Sequence, residues 1–128
     1  MEEFLQKIEK EITGCALPAD YRRLMSDGAY KQYGDRMHRM VLCGTACYFC
    51  GFLDETGDPE TDLYLYNRQN APEDGKYLVV AKIFLGMQLL LCVKGAFAGK
   101  LYLLKDGEED EGPIYAAAGT DDFLKLIR

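Results

Sequence analysis

The sequence predicts an α+β fold, in which N-terminal helices pack on a single twisted, mostly antiparallel β-sheet and a short C-terminal helix closes the domain. The main observation is the stretch from Gly75 to Asp106, where short apolar runs alternate with glycine-containing breaks. Amphipathic segments flank this stretch on both sides. The runs that we interpret as an antiparallel meander are Tyr77–Ile83, Gln88–Lys94 and Lys100–Lys105.

The middle run is apolar at each successive position from Leu89 to Val93. A central strand that is covered on both faces explains this pattern, because neither face can be left in water. A buried helix shows the same periodicity, but the short length, the flanking glycines and the pair Val79-Val80 favour a strand.

Two helices are predicted before the sheet. Glu2–Thr13 carries its apolar residues at helical spacing, and Gly14 is suited to end that helix. Leu17-Pro18-Ala19-Asp20 begins a second helix, because proline is favoured in the first turn and Asp20 complements the helix dipole. Gly28 ends it. Both apolar stripes need a partner surface, and the sheet provides one.

The other segments give weaker signals. The chain from Ala29 to Arg39 reads as a loop, and Pro113–Ala118 is assigned no element. Thr120 is predicted to be the N-cap of the closing helix, with two carboxylates in its first turn. The first strands are predicted at Met40–Cys43 and Ala46–Leu53, and a short strand or helical turn at Leu63–Tyr66.

The chain length and the net charge exclude several classes of function. We expect 128 residues to form one domain, residues 1–128, with a net charge of −6. Nucleic-acid binding needs a basic face, so an acidic chain favours a protein partner instead. The acidic start, Met-Glu-Glu-Phe-Leu, is not a secretory signal, and the longest apolar run is too short to span a bilayer. We therefore expect a cytoplasmic protein that binds neither nucleic acid nor membrane.

Two acidic segments are the predicted partner-binding surface. The loop Asp54–Asp62 does not fit a calcium-binding EF-hand, because Pro59 and Leu65 occupy the positions that need glycine and glutamate. A solvated acidic edge is the alternative to a binding role for both segments. The predicted binding residues are Asp54, Glu55, Asp58, Glu60, Asp62, Glu108, Glu109, Asp110 and Glu111.

The cysteines give an alternative prediction. Cys43, Cys47 and Cys50 lie close in sequence, and His38 would complete a Cys₃His set that zinc accepts. Cys47 and Cys50 could also form a redox pair, which would require a helix N-terminus to lower the thiol pKa. We expect buried structural cysteines, no cofactor and no catalytic residue, because the chain lacks a complete catalytic motif.

The order of these segments resembles the SUKH superfamily, which includes Smi/Knr-like fungal cell-wall regulators and bacterial immunity proteins of polymorphic toxin systems. The resemblance covers most of the chain, and its matching segments are short and hydrophobic. They are Leu17–Met25, Gly75–Ala81, Gly99–Leu104 and Thr120–Leu124. The chain has Asp27-Gly28-Ala29 where the family usually has Asn-Gly-Gly, and the cysteine cluster is not a family feature.

The resemblance implies an α+β domain that binds proteins and is not an enzyme. Its most specific implication is an immunity protein that binds and neutralises a cognate toxin, such as a nuclease. A general regulatory interaction module and a small metal-binding or redox protein are the alternatives.

Overall fold

The computed structural model of the protein describes residues 1–70, 75–84, 86–105 and 112–127. Within these residues it has four α-helices and one six-stranded antiparallel sheet, which confirms the predicted α+β class. The helices are α1 (Glu2–Ile8), α2 (Ala19–Ser26), α3 (Leu63–Asn70) and α4 (Thr120–Leu124). The strands are β1 (His38–Leu42), β2 (Thr45–Phe52), β3 (Tyr77–Ile83), β4 (Met87–Cys92), β5 (Leu101–Lys105) and β6 (Ile114–Ala117).

The strands follow one another in the sheet in chain order, β1 to β6. The predicted meander forms β3, β4 and β5, with Ile83 opposite Met87 and Leu91 opposite Leu101. The side chains of β4 are buried on both faces, as the continuous apolar run predicted.

The sheet curls so that the turn between β1 and β2 approaches β6. The Cys43 thiol lies in this turn and donates a hydrogen bond of 3.3 Å to the carbonyl of Tyr115. Aromatic rings fill the inner face of the curl. Phe49 of β2 meets Phe123 of α4 at 5.3 Å and Phe52 at 4.9 Å, both edge to face, so that α4 is packed against β2.

The N-terminal helices are tied together by one carboxylate. Glu9 lies in the π-helical turn Glu9–Thr13 that continues α1, and it accepts hydrogen bonds from the Leu17 amide at 2.7 Å and from Arg22 of α2 at 3.3 Å. Burial raises the pKa of Glu9, but these hydrogen bonds and the Arg22 charge outweigh that effect and lower it. The turn ends at Gly14 in the left-handed conformation, as expected.

Two weak segments differ from their predictions, and a third takes one of its two predicted forms. The expected loop after α2 contains the 3₁₀-helix Ala29–Tyr33 and the start of β1. Leu63–Tyr66 begins helix α3, which confirms the helical alternative of its prediction and not the strand. The segment Pro113–Ala118 contains β6, which forms because β5 offers a free edge beside it.

Thr120 is not the N-cap of α4. Gly119 occupies that position, and the buried Thr120 hydroxyl has no hydrogen-bond partner among the described residues. The cap comes from α2 instead, where the Asp20 carboxylate accepts a hydrogen bond of 2.8 Å from the Thr120 amide. This contact joins two helices that are far apart in sequence and satisfies a helix end that would otherwise lack an acceptor.

Candidate partner-binding surface

The acidic loop between β2 and α3 is held in one conformation by its own backbone. Asp54 and Asp62 form a parallel bridge at its base. The Asp54 amide donates to the Thr61 carbonyl at 3.1 Å, and the Leu63 amide donates to the Asp54 carbonyl at 2.8 Å. The loop therefore has a closed base that presents its tip as a fixed surface.

Asp62 organises the loop from the inside. Its side chain is buried, with the residue only 4% exposed, and it accepts hydrogen bonds from the amides of Thr56 at 3.0 Å, Gly57 at 2.8 Å and Leu65 at 3.0 Å. The last bond makes Asp62 the N-cap of α3. Burial raises the pKa of Asp62, but the backbone hydrogen bonds outweigh burial and lower it.

We expect Asp62→Asn to lower the free energy of unfolding by about 1–2 kcal/mol at neutral pH, because one amide oxygen cannot serve the donors that two charged oxygens serve. Since the folded-state pKa is lowered, the charge stabilises the fold above the unfolded pKa of about 4. That contribution is lost as the pH falls through the folded-state pKa. Urea unfolding at neutral and acidic pH measures both effects.

The wild type and the Asp62→Asn variant should therefore converge in stability as the pH is lowered. Glu55→Gln is the matched control, because Glu55 is an exposed carboxylate of the same loop. An equal stability difference at both pH values would show that the charge of Asp62 is not what stabilises the loop.

Asp54 is also used within the fold. Its carboxylate accepts hydrogen bonds of 2.7 Å from the Tyr30 hydroxyl and from the Glu55 amide. Burial, together with the hydrogen bond and charge of Asp54, raises the pKa of Tyr30 to about 12. Asp54 thus ties the loop to the 3₁₀-helix, and its carboxylate is already satisfied.

The other acidic residues of the loop face solvent. Glu55, Asp58 and Glu60 are exposed. Asp58 accepts a hydrogen bond of 2.9 Å from the Glu60 amide, and Glu60 forms an exposed ion pair of 3.1 Å with Lys82. Exposed pairs of this kind contribute little to stability, so these carboxylates are available to a partner.

An open groove of about 440 Å³ lies between this loop and α1. Its apolar residues are Phe4, Tyr64 and Leu65, and Lys7 places its ammonium 4.0 Å from the centre of the Tyr64 ring. The exposed carboxylates of Glu3 and Glu55 complete the lining, beside the buried Asp62. The acidic surface therefore continues from the loop towards the first helix. The second predicted acidic segment, with Glu108, Glu109, Asp110 and Glu111, lies outside the described residues.

The alternative metal set is not brought together. Cys47 and Cys50 lie three positions apart on β2, so they point to opposite faces, and Cys50 is exposed while Cys47 is buried. His38 is buried on β1, opposite Phe49, and Cys43 lies exposed in the turn. The prediction of buried cysteines is therefore wrong for Cys43 and Cys50, because the turn and the outer face of β2 leave them in solvent. In the part of the chain that the structure describes, no three His, Cys, Asp or Glu residues form a group that could hold a metal ion.

The redox alternative also lacks its physical requirement. Cys47 and Cys50 lie on a strand and not at a helix N-terminus. Burial raises the pKa of the Cys43 thiol, partly opposed by Lys105, and burial also raises the pKa of the Cys47 thiol. Reactive cysteines need the opposite shift, because the thiolate is the nucleophile.

The sequence did not predict the exposed apolar residues on the outer side of β1 and β2. Val41, Tyr48 and Phe84 are all exposed there. In the sequence Val41 and Tyr48 belong to apolar runs, which are typical of core strands, and Phe84 lies in the break after the run Tyr77–Ile83. Burial alternates along β1 and over the middle of β2, but Met40, Val41 and Leu42 are apolar in succession, so the sequence carries no matching alternation that could have separated the two faces.

The described helices include none that is long and apolar enough to cross a membrane. The fold defines the class of the protein, an α+β domain with helices packed around an antiparallel meander. The model of the SMI1 / KNR4 family (SUKH-1) matches residues 1–126. The chain therefore belongs to this family, as the sequence resemblance predicted. No curated protein and no solved structure matches the chain.

Proposed function

We propose that this chain is a non-enzymatic protein-binding domain, and specifically an immunity protein that binds and neutralises a cognate toxin. Residues 1–128 act as one unit in this proposal. Membership of the SMI1 / KNR4 family supports the binding role. The observation that carries the proposal is the ordered acidic loop, whose buried members hold the exposed carboxylates of Glu55, Asp58 and Glu60 in place.

The proposed mechanism is steric and electrostatic. The acidic loop covers a basic active site on the toxin, such as that of a nuclease, and the net charge of −6 attracts that site during diffusion. Because Asp54 and Asp62 already order the loop, little conformational entropy is lost on binding. We place the protein in the cytoplasm, where its five free cysteines stay reduced.

The double variant Glu55→Lys/Asp58→Lys should associate about tenfold more slowly with the toxin at low ionic strength, because steering charges act mainly on the association rate. Its association rate should also depend less on salt. Surface plasmon resonance at several salt concentrations measures both quantities. The same test on Glu108→Lys/Glu109→Lys/Asp110→Lys addresses the second acidic segment.

The matched control is Asp27→Lys/Asp122→Lys, which changes the net charge equally at exposed positions outside the loop. It should slow association much less than the loop variant. Unchanged kinetics in the loop variant, or an equal loss in the control, would remove the loop from the mechanism and leave only steric blocking by another surface.

A further inference from the structure

The outer edge of β1 has no neighbouring strand among the described residues, and β6 approaches it only beyond its C-terminal end, where the Cys43 thiol contacts Tyr115. In the described residues β1 pairs only with β2, so the backbone N–H and C=O groups on its other edge have no strand partner. The pairing from His38 to Leu42 runs without a register shift, and the strand contains no proline. Sheet edges are commonly protected by bulges, prolines or inward-pointing charges, so a regular open edge is suited to pair with another strand.

Apolar side chains lie beside this edge on the outer side of the sheet. Val41 is 48% exposed, Tyr48 39% and Phe84 48%, and the Tyr48 and Phe84 rings meet at 6.3 Å. Opposite Val41 stands the small residue Ala46. A groove of about 260 Å³ results, and Arg39 and Tyr48, which are paired across the strands, also line it.

Basic side chains outnumber acidic ones at this edge, where the one carboxylate of the segment just before β1, Asp35, lies 3.7 Å from His38. Arg22, Arg23 and Arg68 each pair with a carboxylate. Arg39 at the groove and Arg36 just before β1 are exposed, and neither forms an ion pair with a described residue. In a chain with a net charge of −6, an arginine that lines an apolar groove and pairs with no described carboxylate favours an acidic occupant.

We propose that β1 and its outer side form a second docking surface, which binds an extended segment of an acidic protein partner. The segment adds a strand to the open edge, places an apolar side chain against Val41 in the groove and directs a carboxylate to Arg39. This combines the main-chain hydrogen bonds of strand addition with side-chain recognition on one face. The surface is separate from the acidic loop and does not depend on toxin binding.

A second copy of this chain fits the edge less well. Antiparallel pairing of two β1 strands about Met40 would set each Arg39 opposite the other copy's Val41. Both Arg39 side chains would then lie diagonally on the same face, with no carboxylate between them. Like charges at neighbouring cross-strand positions are unfavourable, so an acidic partner satisfies the edge better.

Two synthetic peptides test the proposal by NMR titration of the labelled full chain. In both peptides every second residue is threonine. The residues between the threonines are valine and glutamate in one peptide and valine and lysine in the other, and these are meant to face the outer side of the sheet. The glutamate peptide should shift the amide signals of β1 and slow their hydrogen exchange. It should bind about fivefold more tightly than the lysine peptide, as an exposed ion pair allows.

The variant Arg39→Glu should invert this preference, and Arg39→Gln should abolish it without inversion. Arg68→Glu on α3 is the control, and it should leave the preference unchanged. Equal binding of both peptides, absence of binding at millimolar concentration or shifts away from β1 would overturn the proposal. Concentration-dependent protection of the β1 amides without peptide would instead identify a second copy as the occupant.

Discussion

Replacing Asn67 by leucine is expected to lower the free energy of unfolding by about 2–5 kcal/mol, because two buried backbone groups would lose their partners. Asn67 lies on α3 and is only 3% exposed. Its side-chain nitrogen donates to the Val79 carbonyl at 2.9 Å and to the Leu63 carbonyl at 2.8 Å. Its oxygen accepts a hydrogen bond of 2.8 Å from the Val79 amide.

The position of this residue explains the size of the effect. Just beyond the end of β2, the Leu53 amide donates a backbone hydrogen bond of 2.9 Å to the Val80 carbonyl of β3. One residue earlier on β3, the side-chain amide of Asn67 takes the place of a neighbouring strand. It bonds both the backbone N–H and the backbone C=O of Val79. Leucine has a similar volume but neither a donor nor an acceptor.

Urea unfolding of Asn67→Leu measures this contribution, and Asn70→Ala is the control. Asn70 is on the same helix, is exposed and makes one hydrogen bond of 3.1 Å to the Tyr66 carbonyl. The control should lose less than about 1 kcal/mol. Equal losses in the two variants would show that Asn67 does not substitute for a strand.

Replacing Gly51 by alanine is expected to destabilise the fold by about 2–4 kcal/mol, through backbone strain and a steric clash. Gly51 has a φ of +108°, which side chains rarely allow, and it lies where the pairing of β2 with β3 shifts register. A methyl group on Gly51 would lie 3.0 Å from the Cα of Gly34 and 3.3 Å from the Tyr33 carbonyl oxygen.

The control is Gly57→Ala, which separates strain from steric contact. Gly57 has a φ of +79°, but a methyl group there would meet nothing within 4 Å. Its replacement should cost about 1–2 kcal/mol from conformation alone. Thermal unfolding of both variants gives the comparison. If Gly51→Ala is no more destabilising than Gly57→Ala, the approach of β2 to the 3₁₀-helix is not tightly packed.

The close approach at Gly51 also affects the acidic loop. It sets the 3₁₀-helix against β2, and Tyr30 of that helix holds the Asp54 carboxylate at 2.7 Å. Displacing the helix should therefore loosen the base of the loop as well as the core. The packing of β2 and the presentation of Glu55 and Asp58 are thus physically connected.

The meander was predictable because its signals are local. Tyr77–Ile83 is β3 with the predicted bounds, and the other two strands differ from the predicted runs by at most two residues at either end. By contrast, β6 is short and includes two alanines, so only the edge of β5 makes it a strand. The cap of α4 was mispredicted because the Asp20 carboxylate comes from a distant helix.

The acidic loop shows why composition alone cannot separate binding residues from structural ones. All its carboxylates look alike in sequence, yet Asp54 and Asp62 accept hydrogen bonds within the fold. Which aspartate turns inward depends on the amides that the folded loop presents, and the amides of Thr56 and Gly57 converge on Asp62 only in the folded loop. Glu55, Asp58 and Glu60 are left exposed, and the proposed function assigns them to the partner.

The most direct test of the immunity proposal is growth of a host that co-expresses this chain with the product of the gene immediately upstream. We expect the neighbouring product to be toxic alone, the wild-type chain to restore growth, and Glu55→Lys/Asp58→Lys to restore it less well. A harmless neighbour, or toxicity that the wild-type chain leaves unchanged, would contradict the immunity role and leave a protein-binding domain with a different partner.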